Sequence, residues 1–494
     1  MRSSLDTGTE QREKRMNRTT IFLTLLLNSV VLFSQDSIFY SFLANSTMEH
    51  ARVSFSLVDA GNGEKIFEHD SEISLIPGSV LKLLTTAAAL EILGPDHRFR
   101  TIIGYTGKIN GRTGTLDGDI IITGGGDPCL GSENFRQHYG EFADNWISEI
   151  NNAGIKKING RVITDDSYFD YHPVPAKWLW EDIGNYYGAG AYGLSVFDNT
   201  CEILLACLPG PSKPVVIGFS PEECRIDYFN HLSAAGTKDA AYVFAAPYTE
   251  TGSLEGTIPA SGPEFILKGS IADPPLLMAR IIDRKLKESG TEITCPPSTT
   301  RLTGKGSYET FVVINEILSP CLKDIIEVTN HKSINLYAEH LLKEMGRICR
   351  GKGTSESGLE VITGFIEGTG RDTKGIFMED GSGLSLLNAI SSEQVVALLT
   401  YMKRNGKYFK EFYSSFPEAG KEGTLRNYFK DPLFGADFKV KSGSMTRVRS
   451  YAGYLTALSG KELIFCIIVN NFNGSSGLTV SYIEEILKDI IRNQ

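Results

Sequence analysis

The 494-residue sequence lacks the clusters that mark a metal or redox centre. Its eight histidines form no H-x-x-x-H pair and its eight cysteines form no C-x-x-C pair, which are spacings typical of zinc and thiol redox sites. We therefore expect no metal ion and no cofactor. The cysteines also show no disulfide framework, and most are expected to be buried small hydrophobic residues. Cys201 and Cys207 cannot pair if CEILLAC is a strand, because six steps separate them by roughly 20 Å.

Positive charge is scarce as well. The 49 Lys and Arg residues against 59 Asp and Glu give a net charge of −10 at pH 7, with no basic stripe. A protein that binds a phosphate backbone needs such cations to displace counterions. Nucleic acid is therefore excluded as a partner. The hydrophobic content of 41% and charged content of 22% are ordinary for a soluble globular protein and argue against disorder or many membrane spans.

The apolar stretch Ile21–Phe33 is only thirteen residues long, which is too short to span a bilayer comfortably. Basic residues precede it and Ser34-Gln35 follows, a pattern typical of a secretory signal peptide. We predict a signal peptide over residues 1–34, with Met16 as an alternative start; a buried helix of the mature fold is the other interpretation. No cysteine follows before Cys129, so a lipid anchor at the cleavage site is excluded. The predicted protein is exported, with at most a peripheral association with membrane or wall.

Ser79-Val80-Leu81-Lys82 is the only S-x-x-K in the chain that directly follows Pro-Gly and opens an apolar helical run, SVLKLLTTAAALEIL. On a helix the i and i+3 side chains share a face, so Lys82 can serve as the base that Ser79 needs to become a nucleophile. A helix N-terminus also favours developing negative charge. The alternative is that Ser79 only caps the helix and Lys82 is solvated.

Two further motifs follow in an informative order, Ser333-Ile334-Asn335 and Lys441-Ser442-Gly443. The ordered set S-x-x-K, S-x-N and K-[ST]-G is typical of penicillin-binding proteins and serine β-lactamases. Each tripeptide alone is a weak signal. A competing S-x-N at Ser132 is set aside because its surroundings predict the start of a surface helix.

Together these residues fit acyl transfer through a serine ester. Neutral Lys82 would accept the Ser79 proton, Ser333 would protonate the leaving amine, and Asn335 would hold a substrate amide. Lys441 would supply positive charge. The Ser442 hydroxyl would bind a terminal carboxylate, and the backbone N–H groups of Ser79 and Ser444 are candidates for the oxyanion hole. Both Lys441 and Ser442 can reach one cleft only from an edge strand, bent at Gly443.

At this length the chain should divide into two or three domains. Strand patterns at Arg52–Val58, Glu64–His69, Asp437–Lys441, Tyr451–Leu458 and Leu463–Val469, and a helix at Leu478–Arg492, predict one antiparallel sheet built from both chain ends. The domain that carries the three motifs is then discontinuous, over residues 35–95 and 305–494. Residues 96–304 are predicted to be an insertion of one or two domains. If there are two, residues 96–199 and 270–304 form one domain and residues 200–269 form a second domain nested within it.

The chain resembles the low-molecular-mass class C penicillin-binding proteins, the D-alanyl-D-alanine carboxypeptidase and endopeptidase family S13. The resemblance rests on PGSVLKLLTTAAAL, GDIIITGGGDP, GRVITDDSYFD, SINLYAEHLLKEMG, EDGSGLSLLNAIS, EAGKEGTL and VKSGSM…YAGYL. It implies an α+β fold of the penicillin-binding-protein and serine β-lactamase type, with an antiparallel five-stranded sheet flanked by helices and a large, mainly β insertion. It also implies a periplasmic enzyme that acts on peptidoglycan stem peptides and is inhibited by β-lactam antibiotics.

In that family an aspartate of the insertion lies near the substrate side chain, and Asp198 in VFDNTCEI is the best match. The candidate catalytic residues are therefore Ser79, Lys82, Ser333, Asn335 and Lys441, and the candidate substrate-binding residues are Ser442, Gly443, Ser444 and Asp198. Two positions depart from the family pattern. Ile334 replaces an aspartate that has no required chemical role. Leu386 follows G-S-G-L-S where the family commonly has an arginine that holds the side-chain carboxylate of the stem peptide, although Arg371 or Arg447 offers a substitute.

Two alternatives share the same motifs. A serine β-lactamase would hydrolyse the acyl-enzyme rapidly, but the insertion of about 250 residues favours a peptidase. A non-catalytic wall-binding or penicillin-sensing module is disfavoured because Ser79, Lys82 and Lys441 are all intact. The sequence leaves open the balance between carboxypeptidase and endopeptidase activity, the stem-peptide specificity and the oligomeric state.

Overall fold

The computed structural model describes residues 38–207, 212–260, 262–304, 306–308 and 310–494. The predicted signal peptide lies outside these residues. None of the helices within the described ranges is long and apolar enough to cross a membrane.

The strands of the described residues, in chain order, are β1 Arg52–Asp59, β2 Lys65–His69, β3 Arg100–Tyr105, β4 Lys108–Asn110, β5 Thr115–Asp117, β6 Ile120–Thr123, β7 Lys157–Ile158, β8 Val162–Asp165, β9 Thr200–Ala206, β10 Val215–Ser220, β11 Asp227–Asn230, β12 Ser233–Gly236, β13 Ala240–Phe244, β14 Thr251–Pro259, β15 Glu264–Ser270, β16 Glu292–Ile293, β17 Ser298–Thr299, β18 Val312–Leu318, β19 Lys439–Met445, β20 Val448–Thr456 and β21 Glu462–Asn470. The α-helices of the described residues from Lys82 onward are α1 Lys82–Leu93, α2 Arg136–Tyr139, α3 Phe142–Asn152, α4 Trp180–Ile183, α5 Pro274–Glu288, α6 Thr300–Thr303, α7 Leu322–Lys332, α8 Asn335–Arg350, α9 Ser355–Gly368, α10 Ser392–Asn405, α11 Phe409–Ser414 and α12 Ser476–Asn493.

A five-stranded antiparallel sheet in the order β19-β20-β21-β1-β2 forms the centre of the peptidase domain. Helix α10 packs on β1 and β21, and α12 packs on β20. Strand β21 is buried along nearly its whole length, as the apolar run Leu463–Val469 requires of a central strand covered on both faces. The predicted fold class is confirmed, and so is the assembly of one sheet from both ends of the chain.

The predicted strand at Asp437–Lys441 is displaced toward the C-terminus. Strand β19 runs on to Met445 and pairs Gly443 with Ser450 of β20. Glycine has a low strand propensity, but the backbone hydrogen bonds between β19 and β20 keep Gly443 in register. Strand β19 is an edge strand of the sheet, as the K-[ST]-G geometry requires.

The insertion contains separate sheets. One has the order β17-β8-β6-β3-β18 and another β16-β7-β5-β4. Because β18 pairs with β3, the predicted return to the peptidase domain at residue 305 is too early, and the sheet of the insertion closes only at Leu318.

Strands β9 to β15 form a three-stranded sheet, β10-β9-β15, and a four-stranded sheet around β14. These sheets share a small core that includes Ile203, Val243 and Leu254. A core of its own supports the proposed nested domain.

A disulfide joins Cys201 in β9 to Cys224, with the Cα atoms 6.5 Å apart. The sequence analysis did not predict this pair. The two cysteines are 23 residues apart in sequence, so only the tertiary fold brings them together. Cys207 is free, in agreement with the strand argument.

Candidate active site

Ser79 lies in a 3₁₀ turn, Gly78–Leu81, that leads directly into α1. Its hydroxyl accepts a hydrogen bond from Lys82 Nζ at 2.9 Å. Pro77 holds the cap position of the turn without a side-chain cap bond, and Lys82 has no exposed surface. The interpretation of Ser79 as a mere cap beside a solvated lysine is therefore wrong.

Lys82 Nζ has two further acceptors, Asn335 Oδ1 at 2.6 Å and the Ser382 carbonyl at 2.7 Å. Burial lowers the pKa of Lys82 to about 7, against the attraction of the nearby Asp380 and Glu339, which raises it. A lysine with this pKa is partly neutral at physiological pH. It can therefore accept a proton from the hydroxyl that it contacts.

Glu339 and Asp380 are buried carboxyl groups that sequence reasoning missed. Glu339 lies on α8 one turn after Asn335 and accepts from the Gly381 N–H at 3.1 and 3.2 Å. Burial, reinforced by repulsion from Asp380, raises the pKa of Glu339 to about 8. In the sequence Glu339 looks like a solvated helix residue, and only its i, i+4 spacing from Asn335 hinted at a shared face.

Asp380 fixes the loop that presents the Ser382 carbonyl to Lys82. Its carboxylate accepts from the backbone N–H groups of Gly383 and Ser385, both at 2.7 Å. It also accepts from the indole N–H of Trp178 at 2.7 Å, so the insertion takes part in holding this loop. The loop position thus depends on residues distant in sequence.

Ser333 and Lys441 form the second pair of the site. Lys441 Nζ donates to Ser333 Oγ at 2.9 Å and to the Ser442 carbonyl at 2.9 Å. Ser333 ends α7 with φ of 58°, a left-handed conformation that a non-glycine residue adopts at a cost. Burial, and then the charge of Lys82, lower the pKa of Lys441 well below its ordinary value. An anion that entered the site would raise this pKa again, because it favours the charged form of the lysine.

The far side of the cleft is strand β19 with its short side chains. The Ser442 hydroxyl is hydrogen-bonded to Thr424 Oγ1 at 2.7 Å. Gly443 leaves no room for a side chain, since a Cβ there would lie 2.4 Å from the Pro77 carbonyl and 3.0 Å from Ser79 N. A Cβ on Gly78 would lie 3.3 Å from Ser444 N.

These close approaches place Ser79 N beside Gly443 and Ser444 N beside Gly78, where the turn of Ser79 meets strand β19. An oxyanion hole requires two N–H donors near the nucleophile, so these two groups remain its candidates. The structure thus brings together the predicted Ser79, Lys82, Ser333, Asn335, Lys441 and the Ser442–Ser444 strand.

Asp198 lines a cleft together with Ser333 and Asn335, but its carboxyl group is hydrogen-bonded to other side chains of the protein. Its carboxyl accepts from Tyr337 at 2.7 Å and from Ser132 at 2.8 Å, and burial raises its pKa. The discarded Ser132 is buried and caps a 3₁₀ turn, so it is not a surface residue. A substrate-binding role for Asp198 stays a prediction.

Leu386 is 40% exposed and therefore remains accessible at the loop after Asp380. Arg371 lines a different cavity, of about 470 Å³, together with Glu72 and Ile390. Arg447 lies exposed at the β19–β20 turn. Neither arginine shares a described contact with Leu386.

Residues 39–486 match the model of the D-Ala-D-Ala carboxypeptidase 3 (S13) family. The chain is 28% identical over 451 residues to a D-alanyl-D-alanine carboxypeptidase of Actinomadura sp. (strain R39), covering 89% of this chain and 81% of that protein. It is 24% identical to the D-alanyl-D-alanine carboxypeptidase DacB of Haemophilus influenzae, covering 87% and 88%.

The crystal structure of penicillin binding protein 4 from Haemophilus influenzae superposes with a TM-score of 0.78 at 22% identity. The superposition covers 90% of this chain and 97% of that one, which supports the assigned fold. The resemblance predicted from the motifs is confirmed, and the chain belongs to the D-Ala-D-Ala carboxypeptidase 3 (S13) family of serine hydrolases.

Proposed function

We propose that this peptidase cleaves the D-Ala-D-Ala bond of peptidoglycan stem peptides through an acyl-enzyme on Ser79. The observation that carries the proposal is the fully buried Lys82, hydrogen-bonded at once to Ser79 and Asn335. A base held within 2.9 Å of a partly exposed serine is the arrangement that nucleophilic catalysis needs.

In the first step, neutral Lys82 takes the Ser79 proton while Oγ bonds to the carbonyl carbon of the penultimate D-alanine. The oxyanion accepts from the N–H groups of Ser79 and Ser444. As the tetrahedral intermediate collapses, the C–N bond breaks and Ser333 gives its proton to the leaving amine. Lys441, bonded to Ser333 Oγ, can then return a proton to that oxygen. Release of the proton that Lys82 gained balances the one that Lys441 gave up, and it returns Lys82 to its neutral form. Neutral Lys82 then takes a proton from the water that attacks the ester and passes it to Ser79 Oγ as the C–O bond breaks.

The leaving D-alanine carries a carboxylate, which we expect the Ser442 hydroxyl to bind. Its hydroxyl is paired with that of Thr424. Both hydroxyls can rotate toward an incoming carboxylate, whose charge then favours the ammonium form of Lys441.

The proposed location is the periplasm or the outer face of the cell envelope, reached through the predicted signal peptide. The Cys201–Cys224 disulfide supports this location, since structural disulfides persist in oxidising compartments and are rare in the cytosol.

Incubation with a pentapeptide ending in D-Ala-D-Ala tests the function by release of one D-alanine per peptide. A cross-linked peptide dimer, assayed in parallel, measures the endopeptidase share. Rapid steady-state hydrolysis of nitrocefin without release of D-alanine would contradict the proposal and indicate a β-lactamase. A stable penicilloyl adduct with D-alanine release supports it.

The hydrophobic Leu386 predicts weak recognition of the side-chain carboxylate of a diaminopimelate stem peptide. A charge-assisted hydrogen bond contributes about 1.5–3 kcal/mol, and loss of ~2 kcal/mol lowers a preference by about thirtyfold. We expect similar kcat/KM values for this peptide and for an analogue without the carboxylate. The variant Leu386→Arg should raise the preference, with Leu387→Arg as the neighbouring control. A wild-type preference of a hundredfold or more would refute the prediction and point to a cation such as Arg371 or Arg447.

The variant Asp198→Asn tests the substrate-binding prediction. The amide removes one charged acceptor from the bonds with Tyr337 and Ser132, so we expect unfolding free energy to fall by about 1–2 kcal/mol. If Asp198 also meets the substrate, KM for the stem peptide rises while acylation by benzylpenicillin is unchanged. Unchanged kinetics for both substrates would restrict Asp198 to a structural role.

A further inference from the structure

A cleft of about 1260 Å³ opens beside Ser333 and Asn335 and continues between the peptidase domain and the nested sheets of the insertion. Its distant walls include Glu202 of β9, Tyr242 of β13 and Lys268 of β15. This volume exceeds the roughly 300–1000 Å³ of an ordinary small-molecule pocket. The space is therefore larger than a terminal dipeptide requires.

The position of the cleft identifies which end of the substrate enters it. On the proposed function, the leaving D-alanine lies at Ser442 and the amide of the acyl donor lies at Asn335. Asn335 lines the cleft, whereas Lys441 and Ser442 are absent from its described lining. The cleft thus receives the donor stem peptide on the side that leads back to its N-terminus, where the peptide is joined to the amino sugar of the glycan strand.

Exposed aromatic rings border this path. Tyr186 is 53% exposed and Tyr242 is 40% exposed, and both line the cleft. Half-buried Phe244 extends the row beyond the lining of the cleft, with its ring centroid 6.4 Å from that of Tyr242 and 6.1 Å from that of Trp180, which is 55% exposed. We call these four residues the aromatic strip. Clustered exposed aromatic rings mark binding surfaces more often than isolated ones do.

The charges of the cleft wall are mostly matched. The Glu133 carboxylate lies 3.6 Å from the Arg136 guanidinium, and the Glu202 carboxylate lies 3.9 Å from Lys268 Nζ. Asp198 is engaged by internal donors. The wall therefore favours a polar ligand of low charge over a polyanion. An N-acetylated pyranose has these properties, because its C–H face packs on an aromatic ring while its hydroxyl and amide groups bind polar neighbours.

We propose that the aromatic strip binds the N-acetylated amino sugar that carries the stem peptide, so that the enzyme recognises glycan-linked substrate and not peptide alone. The direction in which the stem peptide runs along the cleft rests on the proposed function. The sugar adds binding energy remote from the reacting carbonyl.

The test compares kcat/KM for a pentapeptide with kcat/KM for the same pentapeptide linked to its GlcNAc-MurNAc disaccharide. We expect the wild type to prefer the linked substrate at least tenfold. The double variant Tyr186→Ala/Tyr242→Ala should lose at least five-sixths of that preference, with pentapeptide turnover and benzylpenicillin acylation unchanged. The double variant Tyr186→Phe/Tyr242→Phe should keep the preference. The variant Tyr40→Ala should keep it as well, because the Tyr40 side chain is as exposed as that of Tyr186 but lies outside the lining of the cleft.

A wild-type ratio near one, or a ratio that the double Ala variant leaves unaltered, overturns the proposal. Failure of the wild type to release D-alanine from either substrate contradicts the proposed function instead. Tryptophan fluorescence provides a second test that needs no variant. Trp146 and Trp178 are buried, so a change on titration with the free disaccharide reports on Trp180. An unchanged spectrum at millimolar disaccharide also counts against the strip.

Discussion

Replacing Ser79 with alanine should abolish covalent labelling by benzylpenicillin and release of D-alanine. The expected loss is complete for labelling, because Ser79 Oγ supplies the atom that forms the ester. The fold should survive, since Ser79 makes no cap bond and its hydroxyl is paired only with Lys82 among the described contacts. We expect the unfolding free energy to change by less than about 1 kcal/mol.

Intact-mass measurement after incubation with benzylpenicillin checks this expectation, and peptide mapping of the wild-type adduct locates the label. The variant Ser74→Ala is the control, because Ser74 lies a few residues upstream and bonds only to the Gly375 carbonyl. A label on any serine other than Ser79, or no label on folded wild-type protein, would refute the assignment.

The two active-site lysines should respond differently to replacement by arginine. A guanidinium cannot be deprotonated to act as a base, so Lys82→Arg should lower the acylation rate by about 10²–10⁴-fold. Lys441→Arg keeps a donor near Ser333 and should retain measurable activity. Burial of both lysines means that each variant must first be shown to fold by thermal unfolding. Equal losses in two folded variants would mean that the base is wrongly assigned.

The pH dependence of acylation provides an independent check on the same base. Acylation requires neutral Lys82, and its pKa is lowered to about 7, so the rate should be near its plateau above that pH and fall below it. Two pH units lower, the neutral fraction is about one hundredth, and so is the expected rate. Stopped-flow acylation by nitrocefin measures the profile. A rate that does not decline in acid would exclude Lys82 as the base.

Local sequence patterns predicted the framework of the site because each relevant element is encoded over a short window. The alternating strands next to Ser79 and the apolar run of β21 were located within one or two residues. Helix α1 begins at Lys82, later than predicted, because Ser79 belongs to the preceding 3₁₀ turn. The order of the three motifs then indicated which side chains meet.

Features that depend on contacts between distant segments escaped sequence reasoning. Glu339 and Asp380 lie far apart in the chain, and each resembles a solvated acid in its own segment. Trp178, in the insertion, donates a hydrogen bond to Asp380. Cys201 and Cys224 form a disulfide that no sequence motif indicates. Asp198 was chosen by resemblance, whereas its hydrogen bonds to Ser132 and Tyr337 follow only from the fold.

The pairing of β1 with β21 governs when the enzyme can first become active during synthesis. Strand β1, which precedes Ser79, finds its two partners in β2 and in a strand near the end of the chain. A ribosome-bound chain that stops before residue 462 cannot complete the central sheet, whatever the insertion has already formed. Contacts this distant in sequence slow folding and leave apolar β1 exposed until the last segment emerges. Assembly of the nucleophile is thereby tied to synthesis of β21, which makes a product truncated before residue 462 inert.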